Sequence, residues 1–260
     1  VSVDCSDKLT FIGDNAFLNC TLLVSLGDLS SVTAIEYFAF AGCSSLERLE
    51  HLDNLVSLGE SVFGYGSHYT GCISLKSIGD MPKLESMGQK CFVSCTTLET
   101  VGDLSSLKEI PSETFDGCTS LVSIGDLNNV ESIANEAFSN CSALEHVDKL
   151  DKITSIGQNA FKGCTALKSI GSLHNLETIG QGAFSGCSAL EHVDDLYSLT
   201  RLEYDVFSHC VSLISVDCSD KLTAIGSSAF FGCKALVSIG DLSNVTSLSL
   251  IHISEPPRRS

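Results

Sequence analysis

Ten cysteines stand in register along the chain: Cys20, Cys43, Cys72, Cys95, Cys118, Cys141, Cys164, Cys187, Cys210 and Cys233. Successive gaps are 23 residues, except for the 29 between Cys43 and Cys72. Thiols in such numbers suggest either disulfides or a metal site. Zinc is poorly supported, because no C-x-x-C pair and no His–Cys cluster occurs. Cysteines in one slot of a stack point the same way, and disulfide geometry is strict. Cysteine is also a small, readily buried residue. The ten are read as reduced and buried, with occasional pairing left open. Cys5 and Cys218 occur in a duplicated SVDCSDKLT, where Ser6 and Ser219 replace a leucine, and cysteine fills the vacated apolar space. Cys91 replaces an alanine. With a helical turn there, Cys91 and Cys95 would be accessible and reactive.

Carboxylates form a second regular set. At the two positions after the first apolar strand residue of each unit stand Asp28, Glu50, Asp80, Asp103, Asp126, Asp148, Asp194 with Asp195, Asp217 and Asp241. Only Gly171–Ser172 interrupts them. Stacked strands would place these acids about 5 Å apart, well inside the screening length of about 8 Å. Something must offset their repulsion. One candidate is capping of turn N–H groups; the other is a cation or a basic ligand. Calcium asks for about six to eight oxygens, so a single row supplies at most weak cation binding. Asp80, Asp103 and Asp126 are taken as candidate ligand-binding residues.

The extra six residues fall in the segment 64–71, GYGSHYTG. Insertions in repeat proteins map to loops on one face and often carry function. Tyrosine offers large contact area at low entropic cost, so Tyr65, His68 and Tyr69 are the other candidate ligand contacts. A tolerated insertion is the alternative, since lengthening a surface loop costs little. No catalytic constellation accompanies them. There is no G-x-S-x-G elbow and no phosphate or dinucleotide loop. His146 and His192 sit in duplicated ALEHVD segments and are repeat copies. Of the three N-x-[ST] sequons, those at Asn19 and Asn140 have cysteine in the middle; the third is at Asn244, and all are taken as repeat accidents. No cofactor is expected, and the chain is read as non-catalytic.

The elements that position these residues are copies of one unit. A phenylalanine precedes each marker cysteine by three residues, from Phe17 to Phe230, with Phe63 displaced by the insertion. Apolar residues return at every third position, as in Leu167, Ile170, Leu173, Leu176 and Ile179. That beat is neither helical nor a sustained strand alternation. It fits a coil of short extended pieces and tight turns, stacked so that each unit buries its apolar row against its neighbours. Strands are expected around Lys168–Ile170 and Glu177–Ile179, and a helical or 3-10 turn over S-x-x-A-F-x-G-C, as in Ser227 to Cys233. Pro111, Glu36, Ala134 and Glu203 occupy a slot that is otherwise glycine. That slot therefore needs no left-handed backbone, and its glycines reflect close packing of coils.

The pattern L-x-x-I-G-x-L-x-x-L-x-x-I-G-x-x-A-F-x-x-C resembles the BspA-like leucine-rich repeats, over residues 1–248. The departure is I-G-D-L, as at Ile124 to Leu127, where that family often carries I-x-[IL]-P. The resemblance implies an α/β-type repeat solenoid, a right-handed arc with short strands and short helical or 3-10 turns on the convex side. It also implies a binding module for protein or glycan ligands, adhesive, and at the cell surface or secreted. An intracellular scaffold, which unpaired cysteines would suit, stays open, so a cytoplasmic location is not excluded. The expected organisation is one solenoid over 1–248, with a truncated first unit, and an irregular tail over 249–260 that reads as non-native. Val1 begins in mid-repeat, as an excerpt would. The net charge of −17 and the lack of a basic stripe disfavour nucleic acid. No run of apolar residues is long enough to span a bilayer.

Overall fold

The computed structural model describes residues 1–5, 7–64 and 71–248. Tyr65, His68 and Tyr69, and the tail 249–260, lie outside the described residues. The fold is a β-solenoid of about ten coils. Each coil contributes two short parallel strands, such as Ser169–Ile170 and Thr178–Ile179, close to the expected centres. Strands pair with their copies one repeat away, Ser155 with Thr178 and Ile156 with Ile179. Two residues suffice in most strands, His192–Leu196 and Ser215–Cys218 being longer, because every third side chain is inward and the chain turns between them.

The core is built from ladders of like residues. Ten phenylalanines, Phe17 to Phe230, form one continuous column, with neighbouring ring centroids 5.0–5.7 Å apart and planes within 16° of parallel. Offset stacking of this kind adds about 0.5–1.5 kcal/mol per pair beyond area burial. Beside it runs the cysteine column. Cys164 Sγ donates to the Phe138 carbonyl of the preceding coil at 3.1 Å, and eight other marker thiols repeat the contact at 3.0–3.7 Å. The same Phe138 carbonyl also accepts the Cys141 N–H at 3.2 Å. A small side chain with a weak donor suits that place, which accounts for cysteine in register. All thirteen cysteines are free, and nine of the ten markers are buried as expected; Cys20, in the first coil, is exposed.

The segment before each cysteine corrects the sequence expectation. Among the described residues there is no helix, α or 3-10, so the helical half of the α/β description fails. Two positions per coil carry left-handed backbone, as at Asn159 (φ 54°) and Gly163 (φ 75°). Side chains resist this region, and Asn and Gly tolerate it best. It prevents a continuous helical turn. Alternate N–H groups instead leave the coil. Those of Asn159, Phe161 and Gly163 donate to Gln181, Ala183 and Ser185 of the next coil at 2.8–2.9 Å, while Lys162 and Cys164 close turns within the coil. Among the described residues this third ladder recurs from coil to coil, from Asn15 to Phe231. Its polarity opposes that of the strands, whose N–H groups donate to the preceding coil, as Gly171 does to Val147.

Cys91 and Cys95 are correspondingly buried, not accessible. Cys91 Sγ lies 3.0 Å from the Gly59 carbonyl, and desolvation pushes both thiols up to about 12. Cys218 does take the vacated leucine slot: it pairs with Leu196 across a register shift and is buried.

Candidate functional site

The carboxylate row lies at the turn that follows the first strand of each coil. Asp28, Asp103, Asp126 and Asp241 each accept the backbone N–H two residues on, at 2.7–3.0 Å, closing an Asx turn. Those bonds hold Asp28 and Asp241 below the usual carboxylate range. Asp126 is lowered first by Lys149, whose Nζ lies 2.7 Å away, and Lys149 is raised in turn. Asp80 accepts the Asp103 N–H at 3.0 Å, across coils. Capping thus accounts for much of the row's stability. The candidates Asp80, Asp103 and Asp126 lie on three successive coils. Among the described residues no group of three ligating side chains could hold a metal ion.

The row is not uniform, and its irregularity creates the most distinctive features of this face. Directly after the strand stands either glycine or a carboxylate. At Gly102 and Gly125 the coils approach closely, whereas at Gly79 and Gly171, which follow Glu50 and Asp148, an added Cβ would stand 3.3 and 3.2 Å from its nearest neighbour. A Cβ on Gly102 would lie 2.6 Å from the Asp80 backbone nitrogen, and one on Gly125 would overlap the Gly102 carbonyl. Glu50, Asp148 and Asp194 each place a side chain at this slot directly after a glycine coil, and Asp217 follows Asp194. The ladder opens at Glu50 and at Asp148. Ser25–Leu26 does not pair with Arg48–Leu49, nor Ser123–Ile124 with His146–Val147. The bonds leading in are stretched, to 3.2 Å for Glu47 N–H to Val24 and 3.4 Å for Glu145 N–H to Val122, against 2.8 Å for Lys76 N–H to Glu47. The next bond, made elsewhere by Gly79 to Leu49 at 2.9 Å, is absent for Glu50 to Leu26 and for Asp148 to Ile124.

Each opening is a niche. The first, of about 510 Å³, is lined by Ser25, Gly27, Asp28, Arg48, Glu50 and His51, among others. The second, of about 390 Å³, is lined by Ser123, Gly125, Asp126, His146, Asp148 and Lys149, among others that include Glu145. The two match slot for slot: serine, glycine and aspartate below; Arg or His, then an acid, then a base above. The last of these, His51 and Lys149, both have left-handed backbone, with φ 61° and 58°. His146 Nδ1 is 2.7 Å from Ser169 Oγ on the next coil, and Glu145 is held low by Lys168 at 2.7 Å. A third break, before His192–Leu196, is crossed by Ser172 Oγ donating to Asp195 at 2.8 Å, with Tyr197 bonded to Asp217 at 2.6 Å alongside.

Sequence reasoning placed three candidates on the carboxylate row and missed the niches. Glu50 and Asp148 were counted with the row, although they replace glycine, as Asp194 and Asp217 also do, and are followed by a left-handed basic residue, His51 or Lys149.

The comparisons agree with this architecture. The chain matches the BspA type leucine rich repeat region, in six copies, over residues 1–121, 66–168 and 131–251. It belongs to that family. Among solved structures, it resembles a leucine-rich repeat protein from Bacteroides ovatus, with 24% identity and a TM-score of 0.67, over 95% of this chain and 74% of that one. It also resembles one from Eubacterium ventriosum, with 22% identity and a TM-score of 0.52, over 94% and 80%. At these identities the likeness is one of fold. No curated protein matches the chain. No helix among the described residues is long and apolar enough to cross a membrane.

Proposed function

We propose that this chain is a non-catalytic binding module for protein or glycan ligands, displayed at a cell surface or secreted, with an adhesive role. The observation that carries the reading is the outer face of the first strand ladder. Inward ladders alone would satisfy the fold, yet this face departs from the repeat in a patterned way, at Glu50 and Asp148. Membership of a family of repeat proteins favours binding over chemistry, and the family resemblance favours the surface location. Contacts are assigned to Asp80, Asp103 and Asp126 on that face and to Tyr65, His68 and Tyr69 in the inserted loop. The acid row also offers weak cation binding.

The test is a binding screen of the chain against extracellular-matrix proteins and glycans, beside a version lacking residues 64–69. Binding that falls with the deletion supports contact through the loop. Binding that persists assigns contact to the carboxylate face. Absence of binding to any member rejects the adhesive role. The second reading, an intracellular scaffold, draws on the free thiols. Thiol counting on the unfolded protein separates the two: full reduction in the native source weakens the secreted reading.

A further inference from the structure

We infer that the two niches are equivalent binding sites for a neutral saccharide, one at Ser25–His51 and one at Ser123–Lys149. The inference rests on the binding-module reading and names the ligand class of that face.

The first ground is unspent backbone. At each break the strand ladder leaves a donor and an acceptor with no partner across the gap: Glu50 N–H and the Leu26 carbonyl in one niche, Asp148 N–H and the Ile124 carbonyl in the other. All four residues line the niches. Glu50 and Asp148 are exposed, so these groups face the niche and are open to a ligand's hydroxyls; only buried main-chain groups must find a partner within the protein.

The second ground is the charge pattern. Carboxylates only accept hydrogen bonds, and Arg and Lys only donate. Each niche sets one permanent cation, Arg48 or Lys149, among Asp28 and Glu50 or among Asp126, Glu145 and Asp148. A sugar hydroxyl both donates and accepts, so it can be matched by either kind of group. The excess of carboxylates opposes uronic and sialic acids. A basic peptide side chain would have to compete with cations already seated on those carboxylates: Arg48 lies 3.7 Å from Glu50, Lys149 2.7 Å from Asp126 and Lys168 2.7 Å from Glu145. An apolar ligand would strand the charges and the backbone groups.

The third ground is duplication. The wedge residue, the glycine beneath it and the left-handed basic residue beside it recur together four coils apart. At the spacing of stacked strands that is roughly 19 Å. One extended or branched glycan reaching both niches would gain from effective concentration. The niche volumes fall in the range of small-molecule sites, about 300–1,000 Å³.

The experiment is a calorimetric titration of the chain with short neutral oligosaccharides of glucose, galactose, mannose and N-acetylglucosamine, and with uronic- and sialic-acid oligomers. The variants are Glu50→Gly and Asp148→Gly, which remove the wedge and let the coils close as their glycine counterparts do. The expected result is two equivalents of a neutral oligosaccharide per chain, one after either substitution and none after both, with acidic oligomers weaker by at least tenfold. Urea unfolding confirms that the variants remain folded. A second pair, Arg48→Ala with His51→Ala and His146→Ala with Lys149→Ala, keeps the wedge and is expected to give the same loss. Failure of every neutral saccharide to bind, tighter binding of acidic ones, or stoichiometry indifferent to the substitutions overturns the inference. A chain that binds no saccharide but still binds a matrix protein leaves the binding-module reading intact.

Discussion

Truncation of Phe161 probes the core most sharply. Its ring is fully buried and lies between Phe138 and Phe184, 5.2 Å from each and within 3° of parallel to both. Phe161→Ala removes the side chain from a site closed on both sides by rigid neighbours, so the cavity cannot collapse easily. Buried Phe→Ala changes cost about 3–5 kcal/mol. Two lost ring pairs, each about 0.5–1.5 kcal/mol beyond area burial, place Phe161 in the upper half of that range. Phe17 is half-buried and stacks on Phe40 alone, at 5.2 Å. Its truncation should cost roughly half as much by the same principles. The assay is urea unfolding by circular dichroism, fitted with nearest-neighbour terms because solenoid stability sums over units and their interfaces. A loss below about 1 kcal/mol at Phe161, or equal losses at both positions, would refute the phenylalanine column as the organising core.

Gly125→Ala should destabilise by about 1–3 kcal/mol as an overpacked contact, because its methyl would overlap the Gly102 carbonyl; a neutral result by urea unfolding contradicts the close approach. Alkaline stability follows from the buried thiols. Desolvation pushes Cys91, Cys95 and Cys164 up to about 12, so the native protein keeps protons that the unfolded chain releases above about pH 8.5. Their contribution is full below that pH and falls as pH rises towards 12. The urea midpoint should therefore be lower at pH 10 than at pH 7.5, and an unchanged midpoint argues against burial. In native thiol labelling at pH 7.5, Cys20, the exposed marker, should react well before Cys91 and Cys95; comparable rates would reject the packing of that turn.

Much of this fold was legible because its side chains recur at a fixed period. The register of Phe17 to Phe230 and of the marker cysteines needs only counting, and a residue type held in one slot of a stack must sit in one environment. The strands at Ser169–Ile170 and Thr178–Ile179 follow from the three-residue beat. The turn before each cysteine was misread because a short A-F segment flanked by Ser and Gly suits a helical turn equally well. The legible signal was the Asn or Gly one residue before most of the cysteines, as at Gly163; five residues before, the left-handed slot holds Asn159 and Gly182 but also Phe38, Lys90 and Glu113, and only the N–H groups sent to the next coil reveal it. The niches escaped for another reason. Their sequence mark is the exchange of glycine for Glu50 or Asp148, and its consequence depends on how close the preceding coil lies, a distance that only three-dimensional packing supplies. Capping by Asp103 and Asp126, by contrast, is local chemistry and was open to sequence reading.

The most direct test of the account is a map of where a ligand touches the solenoid. Amide resonances of the chain would be followed on addition of the tightest member of the matrix-protein and glycan panel. The account predicts perturbations on the outer face of the first strand ladder, concentrated at Ser25–His51 and Ser123–Lys149 and extending along Asp80–Asp126. Perturbations confined to the second ladder, around Ser155 and Thr178, or to the third ladder around Asn159–Gly163, would contradict it.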